Sequence, residues 1–218
     1  MSQKVGRPAD PHAKIDLLRA AELVFVEQGL DLAKVEDIAA RAGRSKGAFY
    51  LHFEHKEDAF RQIVETMLAR LADCIDAESA MSKQGAAAVF EHWLAKDVEI
   101  FEFVWQNRGV MRLLLEGGKS ASFAYMMDEF AERSRANMIR FLQWGIEEKM
   151  FRVDLDVELT SLLVSGAYDR VARQVVRQDT KPDLAKLFAN VQKVLIAGMG
   201  SPSSARLLDA PVSKRGSR

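Results

Sequence analysis

Cysteine is nearly absent: Cys74 is the one example in 218 residues, so no internal disulfide can staple the fold. It falls on an apolar helical stripe and reads as a small core hydrophobe rather than a nucleophile. Five prolines and 13 glycines are too few for a collagen-like, linker-like or turn-dominated chain. Charge interrupts every apolar run well before the roughly 18 residues of a membrane span. The N-terminal MSQKVGRPADPH has no apolar core of the kind a signal peptide needs. The expectation is a cytoplasmic protein with no membrane partner. An excess of one charge is missing too: 31 Lys and Arg balance 31 Asp and Glu. That excludes wholesale coating of nucleic acid by a basic surface. Residues 1 to 56 hold nine Lys and Arg against eight Asp and Glu, so any DNA binding must come from local placement of cations.

What is present is helical periodicity. Residues 1–11, with Lys4, Arg7, Pro8 and Pro11, have no apolar pattern and read as a mobile basic arm. In AKIDLLRAAELVFVEQG, Leu17, Leu18, Ala21, Val24 and Phe25 fall on one face and Gly29 supplies a stop. A very short second helix buries Val35, Ile38, Ala39 and Ala42, and Gly43 ends it where a left-handed residue is tolerated. Arg44 and Ser45 open a third helix. Its Phe49 and Phe53, four apart, face inward, leaving Lys46, Gly47, Tyr50 and His52 on the other surface. Helix, short helix, glycine turn, helix is helix-turn-helix anatomy. From Lys56 long helices run to about residue 200, including 86–106, one around VMRLLLE, one through Phe123 to Gly145, and roughly 156–178 and 183–199. No strand signal competes. Residues 201–218 are turn-rich and aperiodic, and read as a disordered tail.

The start of the third helix suits close approach to a duplex. Small residues admit the sugar-phosphate wall and free amides hold phosphate oxygen, which Ser45, Lys46 and Gly47 permit. Gly47 costs a helix about 1 kcal/mol relative to alanine, so it makes sense where backbone must come near something. Tyr50 and His52 can donate to phosphates or base edges, Arg44 at the helix start is a further candidate DNA contact, and Lys34 and Lys56 stand at helix ends that would flank a groove.

The blocks LLRAAELVFVEQG, VEDIAARAGRSKGAFYLHF and KEDAF, in order from Ile15 to Phe60, resemble the N-terminal domain of TetR family transcriptional regulators. The likeness implies an all-α homodimer of about nine helices, with a three-helix DNA-binding domain followed by a helical ligand-binding and dimerisation domain. It implies DNA contacts at Lys46, Gly47, Tyr50, His52 and Lys56, with Arg7 in a basic arm. Two positions depart from the family pattern. Ala33 and Lys34 stand where the second helix usually has a Thr or Ser cap, and His55 stands where Ser often precedes the KE pair. The expected division is 1–11 arm, 12–56 DNA-binding domain, 57–200 ligand-binding and dimerisation domain, and 201–218 tail.

Other motifs carry less. His52 and His55 lack further partners at ligand spacing, so no metal is expected, nor any cofactor. GGKS at 117–120 imitates the end of a P-loop but lacks the first glycine and a preceding strand. Aromatic and methionine residues between 90 and 144 are mostly core; the functional alternative is an apolar effector pocket lined by Trp93, Phe101, Trp105, Met127, Phe130 and Phe141, with Ser134 and Asn137 orienting a small hydrophobic effector. The last two long helices have wider apolar stripes than one small domain needs, pointing to a dimer seam through Leu159, Leu163, Gly166, Ala167, Leu184, Phe188, Val191 and Leu195. The reading that follows is a ligand-responsive repressor on a near-palindromic site in double-stranded DNA. An enzyme using the helical pocket on a hydrophobic small molecule is the alternative, disfavoured because no nucleophile stands beside a base.

Overall fold

The computed structural model describes residues 11–75, 80–83, 85–116 and 123–205, and among the described residues the helix-forming periodicity of the sequence becomes ten helices. They are α1 (Pro11–Leu32), α2 (Val35–Arg41), α3 (Lys46–Tyr50), α4 (Lys56–Cys74), α5 (Ala86–Gln106), α6 (Arg108–Glu116), α7 (Ala124–Glu147), α8 (Val157–Val176), α9 (Leu184–Met199) and α10 (Pro202–Ala205). Among the described residues there is no strand, only an isolated antiparallel bridge between Phe151 and Gly200. The fold is all-α, as expected. Helix α10 corrects the tail at its start, because Ser201 N donates to Met150 O at 2.8 Å and anchors the chain there. Arg7, GGKS and the tail beyond 205 lie outside the described residues.

The contacts divide the chain into two units. One comprises residues up to 70 together with 107–127, the other 71–106 with 128 onward. In the first, Leu17, Ala21, Val24 and Phe25 of α1 are buried with Ile38 of α2, Phe49 of α3 and Phe60 of α4. The Phe25 and Phe60 rings meet edge to face at 5.5 Å, an arrangement that their quadrupoles favour. Gly29 leaves helical geometry (φ 77°, ψ 159°), kinking α1 one turn before its end, and Gly43 (φ 63°) makes the α2–α3 turn in the left-handed region.

The second unit packs α5 against α8 and α9. One cluster contains Val89, Phe90, Trp93, Phe141, Leu142 and Phe151; another contains Phe101, Val175, Leu184 and Phe188. Tyr168 of α8 packs against both. Its hydroxyl donates to Asp97 Oδ2 at 2.6 Å and accepts from Trp93 Nε1 at 3.1 Å. Asp97 is 3% exposed. Burial pushes its carboxyl up to about 7, against the opposing pull of the Tyr168 and Trp93 hydrogen bonds.

Asp97 therefore holds a proton in the native chain that the unfolded chain, near the ordinary value of 3.8, releases. The contribution of Asp97 to stability should be fully present below pH 4, fall as pH rises towards 7, and then level off, with a swing of at most a few kcal/mol. Urea unfolding between pH 4.5 and 8 should show this slope in the wild type and a flatter one in Asp97→Asn. Parallel profiles would mean that the carboxyl titrates alike in both states.

Candidate nucleic-acid interface

The third helix is held from behind and open in front. Phe49 is fully buried and Phe53 nearly so, their rings 5.0 Å apart. Ser45, at the N-cap, accepts from Ala48 N at 3.1 Å, closing the first turn. With Phe49 turned inward, the same 3.6-residue period turns Lys46, Gly47 and Tyr50 outward, and all three are exposed. Tyr50 is half exposed, stands edge to face on Phe49 at 5.6 Å, and has Lys46 Nζ above its ring at 5.9 Å. His52 is half-buried beside Phe53. A Cβ at Gly47 would meet only Ser45 Oγ, at 3.8 Å, so nothing inside the protein requires glycine there.

Two cations have structural work in place of the expected groove contacts. The Lys56 ammonium donates to Asp31 O at 2.8 Å and Ala33 O at 2.9 Å. It closes carbonyls that the end of α1 leaves without helical partners, and so is committed within the fold. Arg44 donates to Asp16 Oδ2 at 2.8 Å, and Arg41 to Glu27 Oε1 at 2.7 Å, tying α2 and its turn back to α1. Lys34 is the N-cap of α2, exposed, and makes no side-chain capping bond, so the weak cap expected there is real.

A contact that periodicity does not reveal is Lys46 Nζ on Glu36 Oε1, at 2.5 Å. The ammonium holds the Glu36 carboxyl below its usual range, and the carboxylate raises the lysine in turn. Both side chains are exposed, so the pair is weak and exchangeable. A phosphate can replace Glu36 at Lys46.

In the second unit the expected effector pocket does not assemble from its buried rings. Trp93 and Phe141 pack edge to face at 5.5 Å, and Phe101 lies 4.3 Å from Phe188, so these three interlock as core. Trp105 and Phe130 are half-buried, as is Met127, which belongs to the first unit. Ser134 donates to Phe130 O within its own helix, and Asn137 Nδ2 to Ile75 O at 3.1 Å. Four of the expected seam residues, Leu159, Leu163, Gly166 and Ala167, form an exposed stripe on α8, joined by Leu162, which the sequence reading omitted. The α9 set needs correction: Leu184 and Phe188 are buried in the monomer core, while Val191 and Leu195 pack inward against it. Val194, 73% exposed, is the outward apolar residue of α9. Among the described residues no group of three His, Cys, Asp or Glu could hold a metal, and no helix is long and apolar enough to cross a membrane.

Residues 17–63 match the family model described as bacterial regulatory proteins, tetR family. The chain is 24% identical to the fatty acid metabolism regulator protein of Bacillus subtilis over 191 residues, 85% of this chain and 94% of that one. It is 30% identical to the helix-turn-helix transcriptional repressor KstR2 of Mycobacterium tuberculosis over 148 residues, 66% of this chain and 72% of the relative. The fold matches the transcriptional regulator FadR from Bacillus subtilis, solved with stearoyl-CoA, at a TM-score of 0.65 and 24% identity, covering 84% of this chain and 98% of that one.

Removing the carboxylate that competes for Lys46 should strengthen DNA binding. Glu36→Gln is expected to raise affinity about two- to fivefold at low salt and to steepen the salt dependence, measured by fluorescence anisotropy across a salt series. Gly47→Ala should leave the melting temperature unchanged or raised, with at most about 1 kcal/mol gained, yet weaken DNA binding at least about fivefold. Equal affinity in Gly47→Ala would show that no partner approaches that backbone.

Proposed function

The chain belongs to the TetR family of bacterial regulatory proteins, and from that premise we infer that it is a ligand-responsive repressor that binds operator DNA through α3 and is released by a small hydrophobic effector. The observation that carries this is the two-sidedness of α3: Phe49 buried behind it, and Ser45, Lys46, Gly47 and Tyr50 exposed in front. The DNA-facing residues of the proposal are Lys34, Ser45, Lys46, Gly47, Tyr50 and His52, with Arg7 from the arm. Arg44 and Lys56 position that face from within. Residues 12–56 are the proposed DNA-binding part, and 57–200 the ligand-binding and dimerisation part.

A homodimer supplies the second recognition helix. The α8 stripe of Leu159, Leu162 and Leu163 is 53%, 56% and 66% exposed, an apolar face that water penalises unless another surface covers it. Gly166 and Ala167 continue it with little bulk, which lets a partner's backbone come close. Two-fold symmetry then presents two α3 helices to a near-palindromic site with half-site centres about 34 Å, or a multiple of it, apart. The relative solved with stearoyl-CoA supports an effector with a long apolar body. A typical coupling of about 1–3 kcal/mol between effector and DNA would change operator affinity about 5- to 150-fold. The relatives are regulators, and no observation favours the enzyme reading.

Mobility shift with fragments flanking the gene, over a salt series, tests the reading: wild type should select particular fragments, and Lys46→Ala should bind all of them more weakly. Equal, weak binding of every fragment by both proteins would overturn it. Leu163→Asp should convert the dimer to a monomer of half the mass in sedimentation velocity, keep its helical circular dichroism, and lose selective DNA binding.

A further inference from the structure

Within the second unit, a cavity of about 600 Å³ lies where the start of α5, the end of α7 and α10 converge. It is separate from the rings expected to hold an effector. Its apolar wall is made by Trp144, Val89 and Met150, and Val89 and Met150 are buried, so the wall is fixed by the core behind it. The rim is cationic. Lys83 and Lys149 line it, both exposed, and among the described residues neither forms an ion pair. Lys149 adopts a left-handed backbone (φ 60°), a conformation that costs a non-glycine residue about 1 kcal/mol or more. The α7 terminus sets that conformation through the bonds from Lys149 N to Ile146 O and Met150 N to Gly145 O, and it places Lys149 on the cavity lining. One carboxylate, Glu148, also lines the rim, leaving a net positive opening. Ser203 and Ser204 also line it, their hydroxyls bonded to Ser201 Oγ at 2.9 and 3.2 Å.

We propose that this cavity is a binding site for an anionic amphiphile, a hydrocarbon body lying on Trp144 and Met150 with one carboxylate or phosphate group between Lys83 and Lys149. The volume is in the range of small-molecule sites, and a few polar groups on an apolar wall are what fixes the orientation of such a ligand. Two lysines with no ion-pair partner among the described residues give charge-assisted hydrogen bonds to an anion without first breaking such a pair. Glu148 opposes an anionic head group, but the two lysines on the rim outnumber it. The site does not depend on the regulator reading, because binding here is measured on protein without DNA.

Isothermal titration calorimetry on the full chain, with decanoate, decyl phosphate, decanol and decyltrimethylammonium kept below their micelle concentrations, tests the proposal. Decanoate and decyl phosphate should bind at one site, at least about tenfold tighter than decanol, with the cation weakest. The double variant Lys83→Ala/Lys149→Gly should lose at least about tenfold for both anions while keeping its melting temperature, since glycine relieves the left-handed backbone at 149. Ligand-induced quenching of tryptophan fluorescence should vanish in Trp144→Phe. Decanol binding as well as decanoate, unchanged affinity in the double variant, quenching that survives Trp144→Phe, or no saturable binding would each overturn it. A preference between decanoate and decyl phosphate distinguishes a fatty acid from a phosphate ester as the source of the anion.

Discussion

A helix of five residues cannot hold itself together. Nucleation fixes several backbone dihedrals for each hydrogen bond formed, so fewer than two turns in water are unstable alone. Helix α3 exists because Phe49 and Phe53 are buried at 0% and 2% exposure against the rest of its unit. Each ring is worth about 1.5–3 kcal/mol of transfer free energy, far more than the helix's few backbone bonds contribute net. The same anchoring decides orientation. With Phe49 inward, Lys46, Gly47 and Tyr50 have no choice but to face outward, and the surface offered to a duplex is a by-product of what the core holds.

The surrounding contacts keep that peg at a fixed angle. Arg44 on Asp16 and Arg41 on Glu27 join α2 and its turn to α1. Lys56 reaches back from α4 to the carbonyls of Asp31 and Ala33 just before α2 begins. That matters because α2 starts at Lys34 without a side-chain cap, a lack worth about 1 kcal/mol. The fold supports this junction through the carbonyls on its near side and through Glu36 and Asp37 in the first turn of α2, where the helix dipole favours acids. At the start of α4 the unusual His55 takes up capping through its ring, Nδ1 accepting from Asp58 N at 3.0 Å. The departure at His55 is thus made good by the replacement residue itself, whereas Lys34 leaves the α2 amides without a side-chain acceptor.

How much of this was legible in the sequence follows from what periodicity encodes. The boundaries of α5, the inward pair on α3 and the left-handed Gly43 are local consequences of spacing and backbone sterics, and the structure reproduces them. Periodicity also showed that α8 and α9 have broad apolar faces. It could not say which face meets the chain's own core, because Leu and Phe look alike on either side. Apolar spacing therefore puts Leu184 and Phe188 on a seam although they belong inside, and leaves Leu162 and Val194 unmarked. The cations failed for a related reason. A lysine at a helix end suits a phosphate and a backbone carbonyl equally well, and the 25-residue separation between Lys56 and Asp31 has no local signature. Gly47 is the converse case: its internal surroundings would accept a methyl group, so its reason lies outside the chain.

The commitment of cations inside the first unit bears on affinity. With Arg41, Arg44 and Lys56 engaged within the unit, Lys34 and Lys46 are exposed cations of α2 and α3 and Lys14 stands over the Phe53 ring at 5.9 Å, while Lys46 already shares its charge with Glu36. Each phosphate neutralised adds about 0.9 to the salt slope, so a single copy has a shallow slope and weak nonspecific attraction. For a regulator this is useful, since attraction that ignores sequence recruits the protein to every stretch of the genome. Selective binding must then come from adding two weak, well-oriented contacts, and linking them raises the effective concentration of the second far above its free value. A net-neutral chain with an apolar stripe on α8 is suited to that arrangement: it supplies orientation from buried phenylalanines and restraint from paired charges, and in the proposed dimer a second copy would supply strength.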